Sequence, residues 1–306
     1  GVDYKAKPWS FGLHGAYFRW RAAGSVVQSN VGQKQDSVII MPSVRGQMSI
    51  VKFLLQPMVI FGEADRSDAG AAAFGSKSMD IFAWGVIGGA EVNLGKIRPF
   101  FAFAIGSGDD NVNDDDLEGF APLPDREITL TTGAPEFAVL TASPAWGGRD
   151  VGPPARAGIG VSNEFLHSVG NPFNDRIGGG GAGVSGLATT YSNAGTFTLI
   201  PGVKIFPVKG HELDLFYAYR AVMESAPLEA LIGGANVDES MVHEVTAMYT
   251  WRVNKHFDIR ATGNLSLLAS GGQDVAESVV CNAATGQTCD GEEVALRGEV
   301  RFRARF

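Results

Sequence analysis

The chain has 306 residues, enough for one large domain or two average ones, and carries a formal net charge of −8 with a pI of about 5.2. Charged residues make up only 19%, hydrophobic residues 45%, and mean hydropathy is +0.04, with 40 glycines and 19 phenylalanines. That balance excludes a disordered chain, which is charge-rich and aromatic-poor, and its acidity argues against a nucleic-acid partner.

From the N-terminus, "WSFGLHGAYFRW" opens a strand expected over 9–21, with Trp9, Phe11, Leu13 and Tyr17 on one face. A weaker strand is expected at 37–45 and a turn at "VRGQ" (44–47). Further strands are expected at 49–62, 78–93 and 97–107, with a tight turn at "LGKI" (94–97). The longest apolar run, "SIVKFLLQPMVIFG" (49–62), is broken by Lys52, Gln56 and Pro57. It therefore falls short of the roughly 18–20 apolar residues of a membrane helix. Gly1 follows no leader segment, so the sequence reads as mature or partial.

Residues 108–194 read as a long loop region. Within it, "TLTTGAPEFAVLTASPAW" (129–146) and "ARAGIGVSNEFL" (155–166) could add a strand pair. The region opens on an acidic run of Asp109, Asp110, Asp114, Asp115, Asp116 and Glu118. Clustered hard oxygens of this kind suit calcium or a cation bridging lipopolysaccharide; a solvated loop is the competing reading. An EF-hand does not fit, because Asp116 stands where that loop needs glycine. "IGGGGAGVSG" (177–186) lacks the Lys-Ser/Thr of a phosphate loop and reads as flexible chain.

Beyond this region the period-two signal is strongest. A strand carrying Lys204 is followed by one at 212–223, where Leu213, Leu215, Tyr217 and Tyr219 oppose Glu212, Asp214, Phe216 and Arg220. The next run opposes Val245, Tyr249 and Trp251 to Glu244, Thr246 and Arg252. The next opposes Phe257, Ile259 and Leu265 to Asp258, Arg260 and Asn264. The last, 293–306, sets Arg297, Glu299, Arg301, Arg303 and Arg305 against Leu296, Val300, Phe302 and Phe306. These runs are about twice the usual five or six residues of a soluble strand and match the roughly 9–11 of a tilted membrane strand. "PVKGHE" (207–212) and "VNKH" (253–256) are tight turns, whereas 224–239 and 270–293 are long connectors. Short turns at one end and long loops at the other describe an outer-membrane barrel. Cys281 and Cys289 lie in the second long connector, seven small or polar residues apart. A disulfide in an oxidising compartment is the first reading and two free thiols the second.

The expected fold is thus all-β: a single transmembrane antiparallel up-and-down barrel over 1–306, with about twelve strands, or ten without the uncertain pair. For such a barrel, function lies on the inward face. Lys204, Arg220, Arg252, Arg260, Arg297 and Arg301 share it with Glu212, Asp214, Glu244, Asp258 and Glu299. They read either as a selectivity lining for anions or as ion pairs bracing a wet wall. The five histidines are scattered, and no Ser/His/Asp set can be assembled from the sequence, so no enzymatic activity is expected.

The alternating "RGEVRFRARF" (297–306), closing on Phe306, resembles the terminal signal that outer-membrane assembly machinery reads in bacterial porins. More narrowly, "FAFAIGSGDDNVNDDDLEGFAPL" (101–123) and "FPVKGHELDLFYAYR" (206–220) resemble passages of the alginate-export family of barrels. The resemblance implies a Gram-negative outer-membrane location among lipid and lipopolysaccharide. It also implies a channel for passive diffusion or export of small or anionic solutes, oligosaccharides among them. The alternative is a structural barrel, a scaffold or sheath in a multiprotein envelope complex or an oligomer.

Overall fold

The computed structural model describes residues 1–21, 31–66, 78–111, 114–118, 195–231, 236–274 and 294–304. Alternation of residue type along the chain becomes alternation of burial, because successive side chains of a strand point to opposite faces. The described strands are β1 (Val2–Ala6), β2 (Trp9–Arg21), β3 (Val31–Met48), β4 (Val51–Arg66), β5 (Ser78–Val92) and β6 (Ile97–Gly106). They continue as β7 (Asp116–Leu117), β8 (Thr196–Ile205), β9 (His211–Ala221), β10 (Ser240–Arg252), β11 (Phe257–Leu268) and β12 (Val294–Ala304). A short helix, α1 (Ala226–Leu231), lies in the β9–β10 connector, and residues 270–274 after β11 are also helical.

All twelve strands belong to one sheet. Apart from β7, each pairs antiparallel with its neighbour in chain order, and the sheet bends into a partial ring. Among the described residues no ladder joins β1 to β12. All ten long strands expected from the sequence are present. Two short strands not expected from the sequence, β1 and β7, are also described; the pair expected at 129–146 and 155–166 lies outside the described residues.

The turn expected at 44–47 is not there. β3 runs through it to Met48, and the reversal is made by Ser49 and Ile50, with Met48 paired to Val51 and Ser49 at φ 52°. Gly46 lies in the ladder under the rings of Phe53 and Trp9, so a cross-strand aromatic cover supplies what a side chain at 46 would have packed. Pro42 and Pro57 face each other where the β3–β4 ladder lapses, with the same register resuming on both sides. Neither has an N–H to lose.

The remaining short connectors, 7–8, 93–96, 206–210 and 253–256, fall at the same end of the sheet as Ser49–Ile50. The long connectors all fall at the other end. That end is partly folded. Val222 N–H donates to Glu239 O, Ala269 N–H to Met241 O, and Leu228 of α1 and Met241 are fully buried.

One face of the sheet, here called inner, is buried; the other is exposed. Ile39, Met41, Leu54, Met58, Ile60, Ile81, Ile200, Phe216 and Met248 lie on the inner face. The outer face exposes Phe11, Leu13, Tyr17, Ile40, Phe61, Phe82, Trp84, Phe101, Leu215, Val245, Trp251, Leu267, Val300 and Phe302. This reverses the usual soluble arrangement, in which the exposed face is the polar one. No described helix is long and apolar enough to cross a membrane.

Candidate functional site: the inner face of the strands

The inner face divides into two layers along the strands. At the short-turn end, every long strand from β3 to β12 places a charged residue on inner parity within three residues of its end. These are Arg45, Lys52, Glu91, Arg98, Lys204, Glu212, Arg252, Asp258 and Arg303, with Asp214, Arg260 and Arg301 just behind. They make an ionic collar. On β3 through β11 these strand ends adjoin the short connectors.

The collar is braced. Glu91, almost fully buried, receives Lys204 Nζ at 2.9 Å and Arg98 Nη1 at 3.6 Å. Lys204 also lies 5.5 Å from the centre of the Phe100 ring, and Arg98 4.5 Å from that of Phe206. Stacking of this kind lets a cation lose water at modest cost. Arg252 Nη2 donates to Glu212 Oε2 at 2.9 Å at the solvent-facing rim. Asp214 is buried, with Lys204 and Arg260 as its cationic neighbours.

The ion pairs do not cancel the collar's charge. Counting inner-parity positions along β3–β12, from Arg45 through Arg303, Arg45, Lys52, Arg98, Lys204, Arg220, Arg252, Arg260, Arg297, Arg301 and Arg303 are cationic. Glu91, Glu212, Asp214, Glu244, Asp258 and Glu299 are anionic. With Arg66 at the far end of β4, on the same parity, eleven cations thus stand against six carboxylates in a chain of net charge −8. The excess acid lies elsewhere, in connectors and on the outer face.

Behind the collar lies an apolar layer, here called the waist. Met41, Ile39, Met58, Ile60, Ala83, Ala102, Ile200, Phe216 and Met248 are all buried; Ile200 is 0% exposed. Ser43, Gln56, Thr198, Thr246 and Glu244 are buried polar side chains among them. Methionine is over-used here, at three strand positions within this layer and a fourth, Met79, farther from the turns.

The residues singled out from sequence take these places. Lys204 is in the buried cluster, and its partner Glu91 had not been foreseen; nor had Arg45, Lys52 or Arg98. Glu212 and Arg252 pair with each other. Asp214, Glu244 and Asp258 are buried and Arg260 is half-buried. Register sets Arg220 opposite Thr198, Arg297 opposite Asn264, Glu299 opposite Thr262 and Arg301 opposite Arg260. Cys281, Cys289 and Phe306 lie outside the described residues.

The acidic run is at the opposite, long-loop end and is not gathered around a point. β7 folds back parallel to β5, with Asp80 N–H donating to Asp115 O at 2.9 Å. Ser107 ties the segment down. Its hydroxyl accepts from Trp84 N–H at 3.0 Å and donates to Glu118 O at 2.6 Å. Asp109 is buried and accepts from Asn111 N–H at 3.1 Å. Burial raises its pKa to about 6, partly opposed by that hydrogen bond and assisted by Asp114, Glu118 and Asp110. The Glu118 carboxyl is also raised, by desolvation and then by Asp110, Asp116 and Asp114. Asp110, Asp115 and Asp116 are exposed. Among the described residues no group of three or more Asp, Glu, His or Cys is arranged to hold a metal ion.

On the outer face, two aromatic clusters with histidine mark the two ends of β9 and β10. Toward the short turns His211 meets Tyr249 through a 2.5 Å contact and stacks on Trp251; toward the long loops His243 meets Tyr217 OH at 2.6 Å beside Tyr219. Leu213, Leu215, Val245 and Ala247 fill the stretch between. No protein-family model matches the chain, and no curated protein is significantly similar to it.

Proposed function

We propose that this chain forms the wall of an outer-membrane β-barrel channel through which small solutes diffuse, anions in preference to cations. The observation that carries the reading is the inversion of the sheet: a continuous exposed apolar face outside and a net cationic face inside. Lipid accepts the first, and an aqueous passage for anions uses the second. At about 3.3 Å per residue the stretch of β9 from His211 to Tyr219 spans roughly 26 Å. Tilted by roughly 35–45°, as barrel strands are, it sets the two aromatic clusters about 20 Å apart along the barrel axis, just inside the edges of an apolar band about 25 Å tall. The resemblance to porins and to the alginate-export barrels agrees with this reading and adds the outer membrane as its location.

Planar-bilayer recording under a salt gradient tests it. The expected result is stable conductance steps with a reversal potential on the anion-selective side; cation selectivity would overturn the preference. A second reading, a structural barrel within an envelope complex, is favoured by one observation: the waist is packed with apolar side chains. Protein that inserts and stays electrically silent to every small ion and solute supports that second reading.

A further inference from the structure

We propose that the interior selects amphipathic anions, molecules with one permanently charged head group on a hydrocarbon tail or ring, over inorganic ions and sugars. The proposal rests on the channel reading and names its solute class. Two layers in series carry it, and neither would suffice alone.

A passage for hydrated solutes is polar where it is narrowest, because a solvated ion must keep its water or find substitutes for it. Here the layer next to the collar is built from Ile39, Met41, Met58, Ile60, Ile200 and Phe216, all buried. An apolar layer holds water poorly and slows hydrated ions without closing to them. A hydrocarbon tail has the opposite preference, since entering the waist removes its own apolar surface from water. The methionines suit such a guest, because their unbranched thioether chains repack around different shapes. A waist of this kind by itself would admit neutral hydrocarbons as readily as acids.

The collar supplies the second criterion. It lies next to the waist along the same strands and carries more cations than carboxylates, counted by inner parity. A collar alone would favour chloride or phosphate. In series, the two layers favour a solute whose head group rests at the collar while its tail lies in the waist.

Efflux from proteoliposomes tests this, with octanesulfonate, methanesulfonate and sucrose as probes. Both sulfonates stay ionised, so neither leaks through lipid as a neutral acid. Octanesulfonate should leave roughly tenfold faster than methanesulfonate, the ratio expected if only about two tail methylenes shed water in the waist. Sucrose should leave no faster than from protein-free vesicles. In a folded double variant Met41→Asn, Met58→Asn the preference should vanish as methanesulfonate flux rises. In Arg45→Glu, Lys52→Glu, octanesulfonate flux should fall. Methanesulfonate and sucrose leaving the native protein as fast as octanesulfonate would overturn the proposal and leave the channel reading standing. An unchanged preference in folded variants overturns it as well. Inserted protein that speeds no probe overturns both.

Discussion

Asp109 is 3% exposed and sits where a strand gives way to an acidic connector, so its charge is held away from water beside other carboxylates. The backbone N–H of Asn111 recovers part of that cost, but desolvation is the larger effect and the pKa rises from 3.8 to about 6. A raised carboxyl binds its proton more tightly in the folded segment than in the unfolded one. Its contribution to stability is therefore complete below about pH 3.8 and is lost as pH rises through 6. The full loss corresponds to at most about 3 kcal/mol. Hydrogen exchange at the Ser107 and Asp80 amides, corrected for intrinsic rates, should show roughly tenfold less protection at pH 7.5 than at pH 5. Asp109→Asn should abolish that difference and keep the segment docked at the higher pH. A variant that retained the native pH dependence would show that another group controls the docking. Glu91 is buried beside two cations, Lys204 and Arg98, and the sequence concealed this because Lys204 is far along the chain. A single acidic residue beside a turn looks like an ordinary solvated turn residue.

At the scale of the element, period two was enough to find every long strand among the described residues and to divide its residues between two faces. Local signals failed where a neighbouring strand decides the outcome. "VRGQ" has turn-like residues, yet the rings of Phe53 and Trp9 cover Gly46 and keep β3 going to Met48. Strand β7 was likewise hidden, because two residues of an acidic run have no periodicity and acquire strand geometry only by pairing with β5. The junction into β8 depends on backbone geometry in the same non-local way. Gly195 has φ 70°, and a side chain there would meet the carbonyl oxygens of Gly106 and Ser107 at 2.5 Å. Gly195→Ala should therefore cost about 2–4 kcal/mol, combining left-handed strain with a clash against backbone that cannot swing aside. Gly263 lies mid-strand in β11 with open space around it, so Gly263→Ala should be neutral or stabilising by about 0.5 kcal/mol. Urea unfolding of the two variants in lipid vesicles measures the contrast. Equal effects would show that the β6–β8 junction tolerates a side chain at 195.

For the whole molecule, the sequence disclosed the two-faced sheet but not the layering of its inner face, which appears only once strand ends are aligned by their turns. The outer face gives the sharpest separation of the proposed membrane barrel from a soluble sheet. Leu215 lies mid-strand in β9, between Val203 and Ala247, and is 38% exposed; Trp251 is similarly exposed, at 41%, but lies beside the short turn. In water, a cation replacing either residue would change stability by no more than about 0.5 kcal/mol, since surface substitutions rarely do more. In a bilayer the cost depends on depth: about 2–4 kcal/mol for arginine near the midplane, falling to about 0–1 near an interface. Reversible unfolding of Leu215→Arg and Trp251→Arg from vesicles should therefore give a large loss for the first and a small one for the second. The contrast matters because the two sites are similarly exposed, so exposure alone would give similar costs. Two small and equal effects would mean that the apolar face meets something other than lipid, and the membrane reading would fall with them.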